Sequence, residues 1–336
     1  MKPAEALERI AYLLERGREA PYRVRAYRNA AGVVKGLSEE ELRVRAAAGR
    51  LRDLPGIGEK TESIILEALG GNVPAYLREL EGSLDQAADD RAQAIRAALT
   101  GDCHMHSDWS DGGSPILEMA RAAREVGHSW VALTDHSPRL TVAKGLSPER
   151  LRRQLEVVKE LNVELAPFRI LTGIEVDILD DGSLDQEDGL LRQLDVVVAS
   201  VHSKLRQENE GMTARMLAAI ASPHINILGH CTGRLVVGRG RPESTFDAER
   251  VFAACAEHNV AVEINSRPER LDPPKRLLAL ARDLGCTFAI DTDAHAPGQL
   301  EWQTYGCDRA ALCDVPLERI VNARPPGEFL AWAHAK

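Results

Sequence analysis

Nine side chains of metal-ligating type recur along this 336-residue chain, and each stands where a short apolar run ends. They are His104 and His106 in GDCHMHSDWSDG with Asp111 close behind, His136 in WVALTDH, Glu175 in ILTGIEVDIL, His202 in VVVASVH, His230 in INILGH, and Asp293 and His295 in FAIDTDAH. Neutral imidazole and carboxylate suit zinc, manganese and iron, and nine such groups exceed what one four- to six-coordinate ion can use. The pattern predicts a cluster of two or three divalent ions, with the choice among manganese, zinc and iron left open.

The apolar runs themselves predict seven strands, near residues 101–105, 130–135, 169–178, 195–201, 225–229, 260–265 and 287–292. Helix-like stretches separate most of them, which argues for parallel βα units, and an unbroken run such as DVVVAS suits a strand buried on both faces. In a βα barrel the strands' C-terminal ends gather reactive groups from distant positions. His106, His136, Glu175, His202, His230 and His295 all fall at or just after a run's last apolar residue. The two-residue spacing of His104/His106 and Asp293/His295 lets both members of each pair face one cavity.

A lone histidine at a strand end is more often a hydrogen-bonded structural residue than a ligand. Agreement among nine reverses that weighting, and Glu175 and Asp293 are costly at the ends of apolar strands unless they are paired or coordinating. His128, His224, His258 and His334 stand outside any comparable string and read as structural or solvated. Alternation turns Cys103 away from the face its neighbours use, so core packing is its expected role.

Before residue 100 the pattern is helical throughout. Ala6, Ile10 and Leu13 keep helical spacing over residues 4–16, a second helix starts near Pro21, and a third opens at Ser38 as N-cap and stops at Gly49. These readings divide the chain into an all-α domain at 1–82, a helical linker at 83–100 and a barrel at 101–336. Residues 1–100 are balanced at 16 basic and 16 acidic side chains, leaving 26 against 35 in the remainder. An acidic larger domain suits cation binding more than nonspecific nucleic-acid binding. Six cysteines without a CxxC pair argue against a zinc knuckle or disulfide framework and fit a reducing compartment, with cytoplasm as the default. No apolar run reaches the length of a signal sequence or a membrane span.

Within the helical region, Gly56 and Gly58 of LPGIGEK allow a tight turn that presents amides at the start of the next helix, where the dipole favours a phosphate. Lys60 can add a charge contact. Residues 16–60 hold 11 basic and 6 acidic side chains, with Arg23, Arg25 and Arg28 interleaved with Tyr22 and Tyr27. The same string fits an ordinary helix–helix turn with a solvated face; its basic neighbours tip the reading toward DNA backbone binding.

The series HxH…SDG, TDH, GIE, SVHS, GH and DTDAH resembles the polymerase-and-histidinol-phosphatase (PHP) superfamily across roughly residues 101–310. GHCTGR, EINSRPERLD and DTDAH are similar to the PHP module at the C-terminus of bacterial family X DNA polymerases. YRVRAYRNAA and LPGIGEK resemble the same polymerases' N-terminal 8-kDa helix-hairpin-helix domain. The resemblance implies an α/β fold, a distorted (β/α)7 TIM-like barrel behind a small all-α domain, with a trinuclear metal site and phosphoester hydrolysis by a hydroxide shared between metals. On this alignment His104, His106, Glu175, Asp293 and His295 surround the reacting centre, while Asp111, His136, His202 and His230 complete the ligand set. Two departures stand out. The 8-kDa-like region runs into the barrel with no room for a polymerase palm, so polymerase activity is not expected. Ile64 occupies the position of a Schiff-base lysine in related eukaryotic domains, so lyase activity is not carried over.

The expected activity is a metal-dependent phosphoesterase acting on DNA phosphodiesters or 3′ ends, as a 3′-5′ exonuclease or end-processing enzyme. One alternative is a small-molecule phosphomonoesterase of histidinol-phosphatase type. Another is a DNA-binding module whose metal-stabilised barrel is catalytically silent. Lys204, Arg234 and Arg267 follow ligand strings closely and are candidates to neutralise a bound phosphate.

Overall fold

The computed structural model describes residues 1–83 and 89–335. Contacts divide the chain into two units, Met1–Ala87 and Ala88–Lys336.

The first unit is built from α1 (Pro3–Arg16), α2 (Pro21–Lys35), α3 (Glu39–Ala47), α4 (Glu59–Leu69) and α5 (Ala75–Ser83). Leu7, Ile10, Leu13 and Leu14 recur at three- and four-residue steps along α1. They bury one stripe in a core shared with Ala30 and Ala31 of α2, Ile64 and Ile65 of α4 and Leu77 of α5. The third helix starts where the sequence predicts, because the Ser38 hydroxyl accepts the Glu41 N–H at 3.1 Å. It ends ahead of Gly49, whose φ of 66° continues no helix.

The second unit opens with α6 (Asp90–Ala98). The expected linker over 83–100 is therefore corrected at these positions: Ala92, Ile95 and Leu99 are buried in the barrel unit's core, and Arg91 pairs with Asp314. An apolar face every third or fourth residue makes this segment part of the barrel rather than a tether. Residues 84–88 of that expected linker lie outside the described residues.

Seven strands follow: β1 (Gly101–Met105), β2 (Trp130–Leu133), β3 (Arg169–Asp177), β4 (Val196–Ser200), β5 (Ile227–Leu228), β6 (Ala261–Asn265) and β7 (Phe288–Asp291). They are parallel and lie in chain order, forming a nearly closed TIM-like α/β barrel. The helices between and after them are α7 (Ile116–Glu125), α8 (Pro148–Leu165), α9 (Asp188–Leu191), α10 (Asn209–Ile220), α11 (Ala248–Glu257), α12 (Lys275–Asp283), α13 (Gln303–Leu312) and α14 (Pro326–Ala333). β5 is only two residues long, shorter than the expected 225–229. The chain around it still bonds to β4 through Asn226 N–H to Val197 O at 3.0 Å and Gly229 N–H to Ala199 O at 2.9 Å.

Side-chain alternation sorts each strand into two layers. Outward residues such as Ile174, Val176, Val262, Ile264 and Ile290 pack under the helices. Inward residues, among them Trp130, Leu171, Val198, Ile227, Ala261 and Ala289, form an apolar plug capped by Val321, Phe329 and Trp332. Two residues further along the same inward rows the character changes from apolar to ionisable, with Glu263 after Ala261 and Asp291 after Ala289. Glu175 occupies the same row of β3, four positions beyond Leu171.

Strand β1 breaks the alternation, because its pairing with β2 shifts register between Asp102 and Met105. Cys103 consequently packs in the inner plug instead of turning outward, while His104 also faces inward. Its expected role in core packing is unchanged; only its direction differs. The β1–β7 seam is closed largely by side chains. Asp291 accepts the Cys103 N–H at 2.8 Å, Asp102 accepts the Thr292 hydroxyl at 2.6 Å, and Asn322 Nδ2 donates to Gly101 O at 3.0 Å and Ile290 O at 2.7 Å.

Candidate metal centre

The strands' C-terminal ends bring all nine candidate ligands to one place. Glu175 is the hub. Its Oε2 lies 3.4 Å from His104 Nε2, 3.7 Å from His106 Nε2 and 2.8 Å from His136 Nδ1. Its Oε1 lies 2.9 Å from His230 Nε2 and 3.3 Å from His202 Nε2. On the other side Asp293 Oδ1 is 3.4 Å from His106 Nε2, and Asp111 Oδ1 is 3.4 Å from His295 Nε2 and 3.5 Å from His136 Nε2. Ligand atoms that share one ion through bonds of ~2.0–2.2 Å are spaced in this way.

Three groups have ligand atoms all within 4.8 Å of one another: His106, Asp111, His136 and His295; His104, His106 and Glu175; and His136, Glu175 and His202. The groups overlap at His106, His136 and Glu175, as neighbouring ions in one cluster require. His230 and Asp293 adjoin these groups through the contacts given above.

The donor set fits divalent ions by a second measure. His104 Nε2, both ring nitrogens of His106 and Glu175 Oε2 are buried with no hydrogen-bond partner among the described residues. Buried polar atoms left unpaired cost about 1–3 kcal/mol each, and coordination removes that cost. Two of the candidate ligands also hold unusual backbone conformations, Asp293 at φ 52° and His230 at φ 20°. Positive φ at non-glycine residues costs on the order of 1–3 kcal/mol and concentrates at functional sites.

Electrostatics separates the ligands. Burial disfavours the Glu175 carboxylate, but His202, His104 and His136 outweigh it and hold the group ionised, well below the usual carboxylate range. Asp293 behaves alike, with Arg267 and His104 overriding burial. Burial, then the neighbouring His295 and His136, hold His106 neutral. For His202 burial is opposed by Glu175 and Asp177, which raise it to about 9.

Several supporting residues stand close to candidate ligands in the sequence, Asp135 beside His136 and Asp177 at the end of β3, and were not anticipated. Asp177 accepts from His202 Nδ1, and Glu263 lies 2.6 Å from His104 Nδ1. Asp135 accepts Ser107 N–H at 2.8 Å, the Ser107 hydroxyl at 2.6 Å and Gln154 Nε2 at 2.6 Å, anchoring the loop that leads to Asp111. Asp177 and Glu263 show in the sequence only as an acid inside an apolar run, and Asp135 only as the neighbour of His136.

A cleft of about 370 Å³ opens over the cluster, lined by ligands and by Leu140, Val142, Leu235, Arg267, Glu269 and Arg270. Of the three cations expected to meet phosphate, Arg267 lines this cleft, donating to Asp293 O at 3.1 Å. Lys204 and Arg234 are not among its lining residues. Lys204 is exposed and pairs with Asp180, and Arg234 donates to the carbonyls of Arg270, at 3.0 Å, and Leu271. A following position in the chain did not give these two side chains the direction of the ligands. Arg270, which the sequence reading passed over, lines the cleft with its Nε 3.3 Å from Asp293 Oδ2.

In the helical unit, Gly56 takes φ 84° and the Gly58 N–H donates to Thr61 Oγ1 at 2.9 Å at the start of α4, so the hairpin turn forms with Lys60 exposed. Arg25 is exposed as well. Arg23 instead donates to Tyr76 Oη at 2.9 Å and pairs with Glu19, and Arg28 pairs with the buried Glu15 at 2.6 Å. Ile64 is a core residue, buried beside Ile65.

Residues 102–267 match the PHP domain family, and residues 1–72 match a helix-hairpin-helix domain family. The DNA polymerase/3'-5' exonuclease PolX of Bacillus subtilis (strain 168) is 37% identical over 252 residues, 75% of this chain and 44% of that protein. The chain thus spans less than half the length of that relative. A probable phosphatase of Thermoanaerobacter sp. (strain X514) is 30% identical over 205 residues, 58% of this chain and 78% of its own. Among solved structures, a histidinol phosphate phosphatase from Lactococcus lactis, complexed with zinc, L-histidinol and phosphate, covers 70% of this chain and 92% of its own. The two share 16% sequence identity, with a TM-score of 0.43.

A parallel barrel with a multinuclear histidine–carboxylate site and these sequence relatives defines a metal-dependent phosphoesterase. The chain belongs to the PHP family and carries a helix-hairpin-helix domain ahead of the barrel.

Proposed function

We propose that the barrel hydrolyses phosphodiesters at DNA ends, as a 3′-5′ exonuclease or end-processing enzyme in DNA repair, with the helical domain holding the DNA backbone. The observation that carries this reading is the presence of both parts on one chain, a helix-hairpin-helix turn at the start of α4 with Lys60 exposed, and a cluster of nine candidate ligands on the barrel.

Two or three divalent ions held by the nine ligands would supply an activated water at neutral pH and neutralise charge on the phosphoryl oxygens. The chain's own groups account for the rest. Glu175 and Asp293 stay ionised and so retain their ligating form without a base to deprotonate them. Arg267 and Arg270 fix Asp293 from the cleft side, where a substrate phosphate would meet them. Leu140, Val142 and Leu235 give the mouth apolar walls that shed water around a bound nucleotide.

Manganese-loaded protein is expected to shorten 5′-labelled single- and double-stranded DNA, and His106→Ala to abolish it. Intact DNA with both proteins would overturn the reading. A phosphatase for a small monoester is the second reading, favoured by the identity with a probable phosphatase over 78% of that protein's length. Monoester turnover with no retention on DNA at low salt would select it. No helix among the described residues is long and apolar enough to cross a membrane, and a cytoplasmic setting suits six free buried thiols.

A further inference from the structure

Six of the seven strands end in one or two of the nine ligands, and β6 contributes none. Its inward row nevertheless runs Ala261, Glu263, Asn265, so an acid and an amide enter the interior at the level of the cluster. Both are fully buried.

Their contacts are specific. Glu263 Oε1 lies 2.6 Å from His104 Nδ1, and its Oε2 accepts the His230 N–H at 2.5 Å and Asn265 Nδ2 at 3.1 Å. Asn265 Nδ2 also reaches Asp293 Oδ2 at 3.2 Å, and its Oδ1 accepts the Arg267 N–H at 3.1 Å. With both oxygens engaged by N–H groups, Glu263 is not a tenth ligand. The histidine it touches has its other nitrogen, Nε2, buried without a hydrogen-bond partner among the described residues and 3.4 Å from Glu175 Oε2. A carboxylate receiving Nδ1–H leaves the Nε2 lone pair free to coordinate and fixes the ring's rotation.

We propose that Glu263 and Asn265 form a positioning pair for the metal centre: Glu263 selects the Nε2-ligating form of His104 and seats the His230 backbone, while Asn265 orients the outer oxygen of Asp293. The proposal rests on reading the nine side chains as a metal centre. Strand β6 thereby serves the site through three candidate ligands carried by other strands, His104 on β1, His230 after β5 and Asp293 after β7. A glutamine at 263 cannot reproduce this role. It has one acceptor where three donors converge, so its amide either opposes the His230 and Asn265 N–H groups or donates to His104 Nδ1 and moves the proton to the ligating nitrogen.

The test uses the full chain, stripped with chelator and titrated with Mn²⁺ and, for its visible spectrum, Co²⁺. Glu263→Gln, Glu263→Asp and Asn265→Ala are compared with the parent by calorimetry, metal stoichiometry and Co²⁺ absorption. Glu263→Gln is expected to weaken binding about 10–100-fold and to alter the Co²⁺ spectrum, with part of the loss recovered by the two acceptors of Glu263→Asp. Asn265→Ala should weaken binding in the same direction and decides the matter if Glu263→Gln does not fold. Parent-like affinity, stoichiometry and spectrum in a folded Glu263→Gln, or in Asn265→Ala where only that variant folds, would overturn the positioning role and leave the metal centre standing. A parent that takes up no metal would overturn the metal centre, and the positioning role with it.

Discussion

Oε2 of Glu175 lies 2.8 Å from Nδ1 of His136 without hydrogen-bonding geometry, two candidate ligand atoms side by side, with the backbones of the two residues joined by an isolated parallel bridge just beyond β2. Because this carboxylate also touches His104, His106, His202 and His230, Glu175→Gln should affect every part of the cluster. We expect metal stoichiometry to fall and phosphoester turnover to drop by at least about a hundredfold. In the parent, metal at a hundred times its Kd should stabilise the fold by about 2.7 kcal/mol, a rise in Tm that chelator reverses. Mass spectrometry of bound metal and thermal melts of parent and variant check both statements.

Gly145 controls the same neighbourhood from outside the ligand set. A Cβ at this position would stand 1.8 Å from Ser137 O, a backbone atom, while the next residue's N–H donates to His136 O at 2.7 Å. Gly145→Ala must therefore displace the segment that carries His136. A loss of about 1–3 kcal/mol in urea unfolding of the metal-free protein, with weakened metal uptake, is the expected outcome.

His128 supplies a pH dependence separate from the metal centre. Buried in the turn before β2 and near Arg96, its imidazole is pushed down to about 3, first by burial and then by that cation. An unfolded histidine takes up its proton near pH 6.5, so this depressed folded value gives stability that is intact above pH 6.5 and lost as pH falls toward 3. By pH 5.5 the loss from this one group is about 1 kcal/mol. His128→Leu removes it. Chelated parent and variant are compared by urea unfolding at pH 7 and pH 5.5; equal losses in the two proteins would show that the buried ring does not carry the effect.

The helical unit separates two arginines of similar sequence setting. Exposed Arg25 is free to meet a phosphate, so Arg25→Ala should lower DNA affinity and reduce the slope of log K against log salt by about one. Arg28 is engaged with the buried Glu15 at 2.6 Å, and Arg28→Ala should instead cost about 1–3 kcal/mol of stability. Binding titrations at several salt concentrations and denaturation curves distinguish the two roles.

The barrel was readable because strand runs and ligand types coincide: VVVAS before His202, FAID before Asp293. Two features blurred the detail. The register shift in β1 places Cys103 and His104 inside together, which strict alternation forbids. The short β5 borrows its hydrogen bonds from flanking residues, so its run looked longer than the ladder it forms. Direction was harder still. Lys204 comes two residues after His202 and Arg267 two residues after the end of β6, yet one turns to Asp180 and the other into the cleft, a choice made by loop contacts that no local pattern encodes. Glu263 was visible only as one acid within VAVEIN, and its histidine partners, His104 and His230, belong to other parts of the barrel.

The seam between β1 and β7 has a consequence for the molecule's motions. His104 and His106 stand on one side of it and Asp293 and His295 on the other, while Asp102, Asp291 and Asn322 fasten the two edges. A zipper closed by a few teeth opens more readily than a woven cloth, and whatever draws His106 to Asp293 is its slider. Amide hydrogen exchange at Cys103 and Thr292 should accordingly slow when metal is added, making the barrel's tightness a gauge of the occupancy of its own centre.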